Sequence, residues 1–152
     1  PTPELVVLTS GILTEEALRA IPALRSAGVS VSHLHVSTLK PFTDPTIVTA
    51  LRSATAGVIT MENHLTTGGL GSAVAEVMAE NSIATPLHRM GLRDTYAHGA
   101  SQPYLLAEYH LDALSLVRLA ENVLDRPLGV SASDLTKVRV AATHSNAKVE
   151  AL

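Results

Sequence analysis

No cysteine occurs among the 152 residues, which excludes disulfides and thiolate metal sites and suits a reducing cytoplasm. Charge is also scarce. With 16% charged residues and a net charge of −3, the chain lacks the basic footprint that nucleic acid or an acidic membrane would require. No apolar run approaches the roughly 20 residues of a transmembrane helix, and no secretory or transit pattern opens the sequence. The common spellings of active sites are missing too: there is no G-x-S-x-G, no H-E-x-x-H, no P-loop and no paired carboxylate cluster. Residue 1 is proline, which fits a processed or engineered chain, or a piece of something longer. What is present is 46% apolar content on a length near that of one domain, so a single core is expected.

The apolar pattern alternates between two periods. Glu4 to Thr9 is a β-branched run ended by Ser10-Gly11, the pattern of a strand covered on both faces. Thr14 is placed to cap a helix with Glu15 and Glu16 in its first turn. Ala17, Leu18, Ile21 and Leu24 form its stripe as far as Gly28, and Pro22 is expected to kink it. Val29 to Val36 reads as a second strand, and Asp44-Pro45 opens a helix carrying Ile47, Val48, Leu51 and Ala54. Ala56 to Met61 is a third strand, followed by a helix with Leu70, Val74, Val77 and Met78. Pro86 to Met90 is a fourth strand. A short helix from Ser101 and a longer one capped by Asp112, with Leu116, Val117, Ala120, Val123 and Leu124, complete the order β-α-β-α-β-α-β-α-α. Such alternation predicts a mostly parallel sheet with helices on both faces and ligands beyond the carboxyl ends of the strands.

Two constellations fall at that edge. In the first, Glu62, Asn63 and His64 follow the third strand, and Gly68-Gly69-Leu70-Gly71-Ser72 opens a helix. Free amides at a helix start attract anions, so a phosphate at Gly68, Gly69, Gly71 and Ser72 is one reading. The other is that the glycines permit a tight turn and close packing, and the lack of G-x-G-x-x-G spacing favours it. Glu62 could orient or protonate His64, or both could cap the turn or pair across an interface. The second constellation runs from Gly91 to Gly99. There Arg89 or Arg93 could hold a phosphate and His98 could hydrogen-bond it, although arginine beside Asp94 usually means a structural ion pair. His33 and His35 share a strand face, but no third ligand has convincing spacing for zinc.

Together these segments resemble the C-terminal domain of transketolase-like, thiamine-diphosphate-dependent enzymes. That family includes 1-deoxyxylulose-phosphate synthase and the beta chains of 2-oxoacid dehydrogenases. The likeness rests on Thr9-Ser10-Gly11, Glu16-Ala17-Leu18, Ala27-Gly28-Val29 and Thr38-Leu39-Lys40-Pro41-Phe42. It continues through Thr60-Met61-Glu62-Asn63-His64, Gly68-Gly69-Leu70-Gly71-Ser72 with Glu76, Met90-Gly91-Leu92, Asp94, His98-Gly99 and Leu111-Asp112. It covers about residues 4 to 125. The resemblance implies a three-layer αβα domain with a mainly parallel five-stranded sheet. It also implies that thiamine diphosphate and magnesium are held by other domains across a dimer interface, because the G-D-G and paired asparagines of the metal-diphosphate signature are lacking here.

The expected organisation is therefore a transketolase C-terminal-like domain over residues 1–127. Residues 128–152 are expected to form an extension that is partly disordered or packed on a partner. The expected function is that of a cytoplasmic component, inactive alone, of a homodimeric transketolase moving a two-carbon ketol unit between sugar phosphates. Its partners are the thiamine-binding domains, with neither nucleic acid nor membrane involved. Two alternatives stand beside it: a regulatory module taking an anionic effector at Gly68–Ser72, and the C-terminal part of a 2-oxoacid dehydrogenase beta chain. No residue of this chain is assigned a catalytic or metal-binding role. Glu62, His64, Gly68, Gly69, Gly71, Ser72, Arg93, Asp94 and His98 are ligand or interface candidates.

Overall fold

In the computed structural model, residues 2–136 are described. The strands β1 (Leu5–Thr9), β2 (Val31–His35), β3 (Gly57–Leu65) and β4 (Leu87–Leu92) form one sheet in the order β2-β1-β3-β4, with every pairing parallel. The described residues thus give a four-stranded sheet where the resemblance implied five. After β4 the described chain continues only into helices. The class, α/β with helices against both faces of a parallel sheet, is as expected.

Alternation along the buried strands sorts the core into two halves. Leu5 and Val7 of β1, with Ile59 and Met61 of β3, pack under α1 (Leu13–Ser26), α5 (Ala113–Leu124) and α6 (Ala132–Thr136). Val6, Leu8 and Val58 point the other way, to α2 (Pro45–Ser53) and α3 (Leu70–Glu80). The remaining helix, α4 (Gln102–Glu108), connects β4 to α5 and contributes Leu106 to the first half. That half also takes in Val130 and Leu135, so packing continues past the boundary expected at residue 127. Of the extension expected over residues 128–152, residues 137–152 lie outside the described residues.

Several element ends differ from expectation. Helix α1 begins at Leu13, so Thr14 lies inside it, and the N-cap is Ile12, without a side-chain cap. The Thr14 hydroxyl is drawn elsewhere, lying 2.9 Å from that of Thr9 and 2.8 Å from His35 Nδ1. The helix continues through Pro22 to Ser26. Asp44 and Asp112 cap α2 and α5 as predicted, accepting from the amides of Thr46 and Ser115, each at 2.9 Å. The N-terminus of α5 gains a second carboxylate from far away in sequence: Glu16, buried in α1, accepts from Ala113 N at 2.9 Å and pairs with Arg19 at 3.1 Å.

The strand order reverses between β1 and β3. In open parallel sheets such a switch leaves a crevice at the carboxyl edge, and both of its walls, Ser10-Gly11 and Glu62-Asn63, belong to the motifs singled out above.

Candidate functional site at the carboxyl edge

Strand β3 extends to Leu65 instead of ending at Met61. Met61 pairs with Met90 and Leu65 with Leu92, so Glu62, Asn63 and His64 together oppose the single residue Gly91. Gly91 fits closely against this bulge. A Cβ there would come 3.0 Å from His64 O, 3.0 Å from Thr66 Cγ2 and 3.1 Å from Glu62 Cγ. Bulges re-aim side chains, and here the result is to separate two residues expected to work together. Glu62 is buried at 2% exposure, while His64 is exposed with Nδ1 3.2 Å from Leu65 O. The Glu62 carboxylate does not meet the His64 ring.

It meets the start of α3 instead. Glu62 Oε2 accepts from Leu70 N at 2.7 Å and Oε1 accepts from Gly71 N at 2.9 Å. Gly69, the N-cap of α3, offers no side-chain cap, so the two first-turn amides are satisfied by a carboxylate delivered from the neighbouring strand. The reason for the glycines follows. A Cβ on Gly69 would land on Glu62 Oε2, and one on Gly71 would lie 2.6 Å from Arg89 Cδ and 3.0 Å from Thr60 Oγ1. Gly68, with φ of +78°, would have nothing within 4 Å of an added Cβ and is there for backbone conformation alone. Its amide donates to Ser72 Oγ at 2.9 Å. Ser72 in turn donates to Thr66 O at 3.1 Å, an oxygen that also accepts from Arg89 Nη1 at 3.1 Å.

The physics that invited a phosphate at this helix start, unpaired amides and the positive end of a helix dipole, is therefore answered from within the chain. A phosphate would have to displace a buried carboxylate that makes two short charge-assisted bonds. Of the amides that an anionic effector would use, those of Leu70 and Gly71 are engaged by Glu62 and that of Gly68 by Ser72. At the switch point the exposed Asn63 side chain lies beside Gly11, where a Cβ would come 2.9 Å from Asn63 Oδ1.

The second constellation shares this edge but stands apart from the first. From Arg93 to Ala100 every residue is exposed, and among the described residues Arg93 and Asp94 form no ion pair with each other. His98 faces α4: Nε2 is 3.6 Å from Glu108 Oε2, and its ring meets Tyr104 edge-on with centroids 6.0 Å apart. Glu108 also holds the Tyr104 phenol above its ordinary pKa by hydrogen bonding and charge.

A third polar group was only partly visible in the sequence. His33 Nε2 lies 2.9 Å from Thr9 Oγ1, which continues through Thr14 Oγ1 to His35 Nδ1. Three hydrogen bonds along this chain need three hydrogens, and the two hydroxyls supply only two. At least one imidazole nitrogen in it must therefore carry a proton. Burial, then the neighbouring His35 and Arg25, lowers the His33 pKa, which favours a neutral His33 ring. The two imidazoles thus turn towards hydroxyls. Among the described residues no group of three or more histidine, aspartate or glutamate side chains could hold a metal. Nor is any described helix long and apolar enough to cross a membrane.

The comparisons with known proteins agree with one another. Residues 1–116 match the transketolase C-terminal domain family. A 6-deoxy-6-sulfo-D-fructose transketolase subunit from Clostridium sp. (strain MSTE9) is 39% identical over 125 residues, which are 81% of this chain and 38% of that protein. A 1-deoxy-D-xylulose-5-phosphate synthase from Syntrophotalea carbinolica is 32% identical over 130 residues, 86% of this chain and 20% of that one. Among solved structures, a split-gene transketolase described as an inactive beta4 tetramer superposes with a TM-score of 0.71 at 30% identity, covering 82% of this chain and 39% of its own. The chain therefore spans about two-fifths or less of the length of these relatives. With the parallel sheet, the motif order and the matched span all in accord, the chain belongs to the transketolase C-terminal domain family.

Proposed function

We propose that this chain is the C-terminal domain or subunit of a transketolase-like enzyme that transfers a two-carbon ketol unit between sugar phosphates. The chemistry belongs to thiamine diphosphate held with magnesium by the enzyme's other domains, and this chain completes the homodimeric assembly. The observation that carries the reading is the family match across all four strands and through α4 and into α5. The donor set of the described residues does not fit the cofactor. The best amides for a diphosphate, those of Leu70 and Gly71, are bound to Glu62, and among the described residues no acidic or imidazole cluster suits a divalent ion. No catalytic step is assigned to this chain.

Mixing the chain with the thiamine-binding part of the same enzyme tests the reading. A stable complex by sedimentation, with turnover of a ketose-phosphate donor and an aldose-phosphate acceptor that neither part shows alone, is the expected result. Calorimetric binding of inorganic phosphate to the isolated chain, abolished by Gly69→Val, together with failure to form any complex, would replace it with the regulatory-module reading.

A further inference from the structure

The large apolar side chains left exposed are not scattered. Among the described residues they are Ile12, Leu18, Leu39, Leu65, Tyr96 and Tyr104. Ile12 follows β1, Leu39 follows β2, Leu65 ends β3 and Tyr96 lies in the loop after β4. Every strand of the sheet thus delivers one exposed apolar residue to the carboxyl edge. Tyr104, in the first turn of α4, is tied to the same loop by its contact with His98. Leu18 alone lies elsewhere, within α1. The opposite edge, formed by the turns after α1, α2 and α3, carries none.

Two further observations say what kind of partner this edge suits. The helix-start amides best placed for a small anionic ligand, those of Leu70 and Gly71, are already held by Glu62. Tyr96, fully exposed at 102%, projects from the surface, and a protruding tyrosine fits a pocket on another macromolecule. Around it Arg93 and Asp94 stand without ion-pair partners among the described residues, a polar rim around an apolar centre.

We infer that the carboxyl edge, centred on Leu65 and Tyr96, is the surface that docks onto the remainder of the enzyme, the portion making up more than half the length of the relatives matched here. This rests on the component reading above and adds the face by which the component is held. The covering surface carries apolar pockets for Leu65 and Tyr96 and polar groups complementary to Arg93 and Asp94. The bulge in β3 then has a purpose beyond closing α3: it turns one carboxylate inward while leaving Leu65 at the rim.

The test compares Tyr96→Lys and Leu65→Lys with Ala84→Lys, an exposed residue in the α3–β4 turn at the opposite edge. Each is titrated by sedimentation against the thiamine-binding part of the enzyme. Urea midpoints of Tyr96→Lys and Ala84→Lys should match the parent, and because Leu65 is only 37% exposed, Tyr96→Lys alone decides the test should Leu65→Lys lower its midpoint. Weakening of the complex at least tenfold by each edge variant, with Ala84→Lys within twofold of the parent, is expected. Parent-like affinity in the edge variants, with the parent complex intact, overturns the surface and leaves the component reading standing. Absence of any complex with the parent chain overturns both. Self-association of the isolated chain that Tyr96→Lys abolishes would assign the edge to a second copy and refute the proposed occupant.

Discussion

Replacing Glu62 by glutamine tests the central structural claim, that a strand carboxylate serves as the cap of α3. The substitution keeps the size of a side chain that is 2% exposed. It retains one acceptor oxygen, for either Leu70 N or Gly71 N, and turns an amide NH2 towards the other, so that two donors face each other. Loss of one charge-assisted bond removes about 1.5–3 kcal/mol. Loss of the negative charge beside the helix start adds up to about 1–2 kcal/mol in a buried setting. The sum is about 3 kcal/mol, after allowing for relaxation of the glutamine. With a urea dependence of about 2 kcal/mol per molar for a domain of this size, the unfolding midpoint should fall by about 1.5 M at unchanged slope.

The same geometry demands non-additivity. Gly69→Ala drives a methyl group onto Glu62 Oε2, so the alanine variant should already have lost much of the carboxylate's contribution. Glu62→Gln in that background should then remove less than half of what it removes from the parent, because both changes act on one contact. A fall of less than about 0.3 M for Glu62→Gln, or strict additivity of the pair, would refute the cap and make the α3 amides available again as ligand donors.

Four other outcomes follow from single contacts. Thr60→Val should be neutral or stabilising by up to about 1 kcal/mol in the same urea titration, because the Thr60 hydroxyl is buried without a hydrogen-bond partner and valine keeps its shape. Gly68→Ala should destabilise by about 1–2 kcal/mol from left-handed backbone strain alone, the space around it being open. Glu16→Gln should lower the thermal midpoint by several degrees, roughly 2–4 °C for each kcal/mol lost, because its bond to Ala113 N joins α1 to α5 across 97 residues. Lastly, burial lowers the His33 pKa below the ordinary 6.5. Its contribution to stability is therefore complete above pH 6.5 and is lost as pH falls towards the folded value. A His33→Asn variant should show a shallower loss of stability below pH 6.5, and an NMR titration midpoint for His33 above 6.5 would contradict the assignment.

Much of the fold was legible because it rests on local signals. The β-branched runs at Leu5–Thr9 and from Gly57, the caps at Asp44 and Asp112 and the helical stripes all state their own conformation. The site was less legible because its decisive contacts are not local. Sequence showed a glutamate and a glycine run eight or nine residues apart but not that one satisfies the other. The bulge that separates Glu62 from His64 packs closely on Gly91 of another strand, whose glycine gave no hint of what it faces. Thr14 looked like a cap by position and was instead claimed by Thr9 and His35, which tertiary packing brings beside it. His33 and His35 were noticed as a pair, yet their hydroxyl partners come from β1 and α1 and follow only from the strand order.

The carboxyl edge illustrates how one sequence feature can argue for opposite functions until its partners are known. Glycines before a helix mean either that a ligand must be allowed close to the backbone or that the protein's own side chain must come close. Charge decides between them. A site kept for an anionic ligand should leave its amides open and place cations nearby, whereas here a carboxylate sits on the amides and Arg89 is engaged with the Thr66 carbonyl. The first amides of α3 are thus answered from within, while the apolar side chains of the edge remain uncovered beside the exposed Arg93 and Asp94. A surface with exposed apolar residues inside a polar rim gains most from excluding water against another protein. That combination is what a domain joined to a larger enzyme requires, and a self-sufficient ligand-binding module would show the reverse.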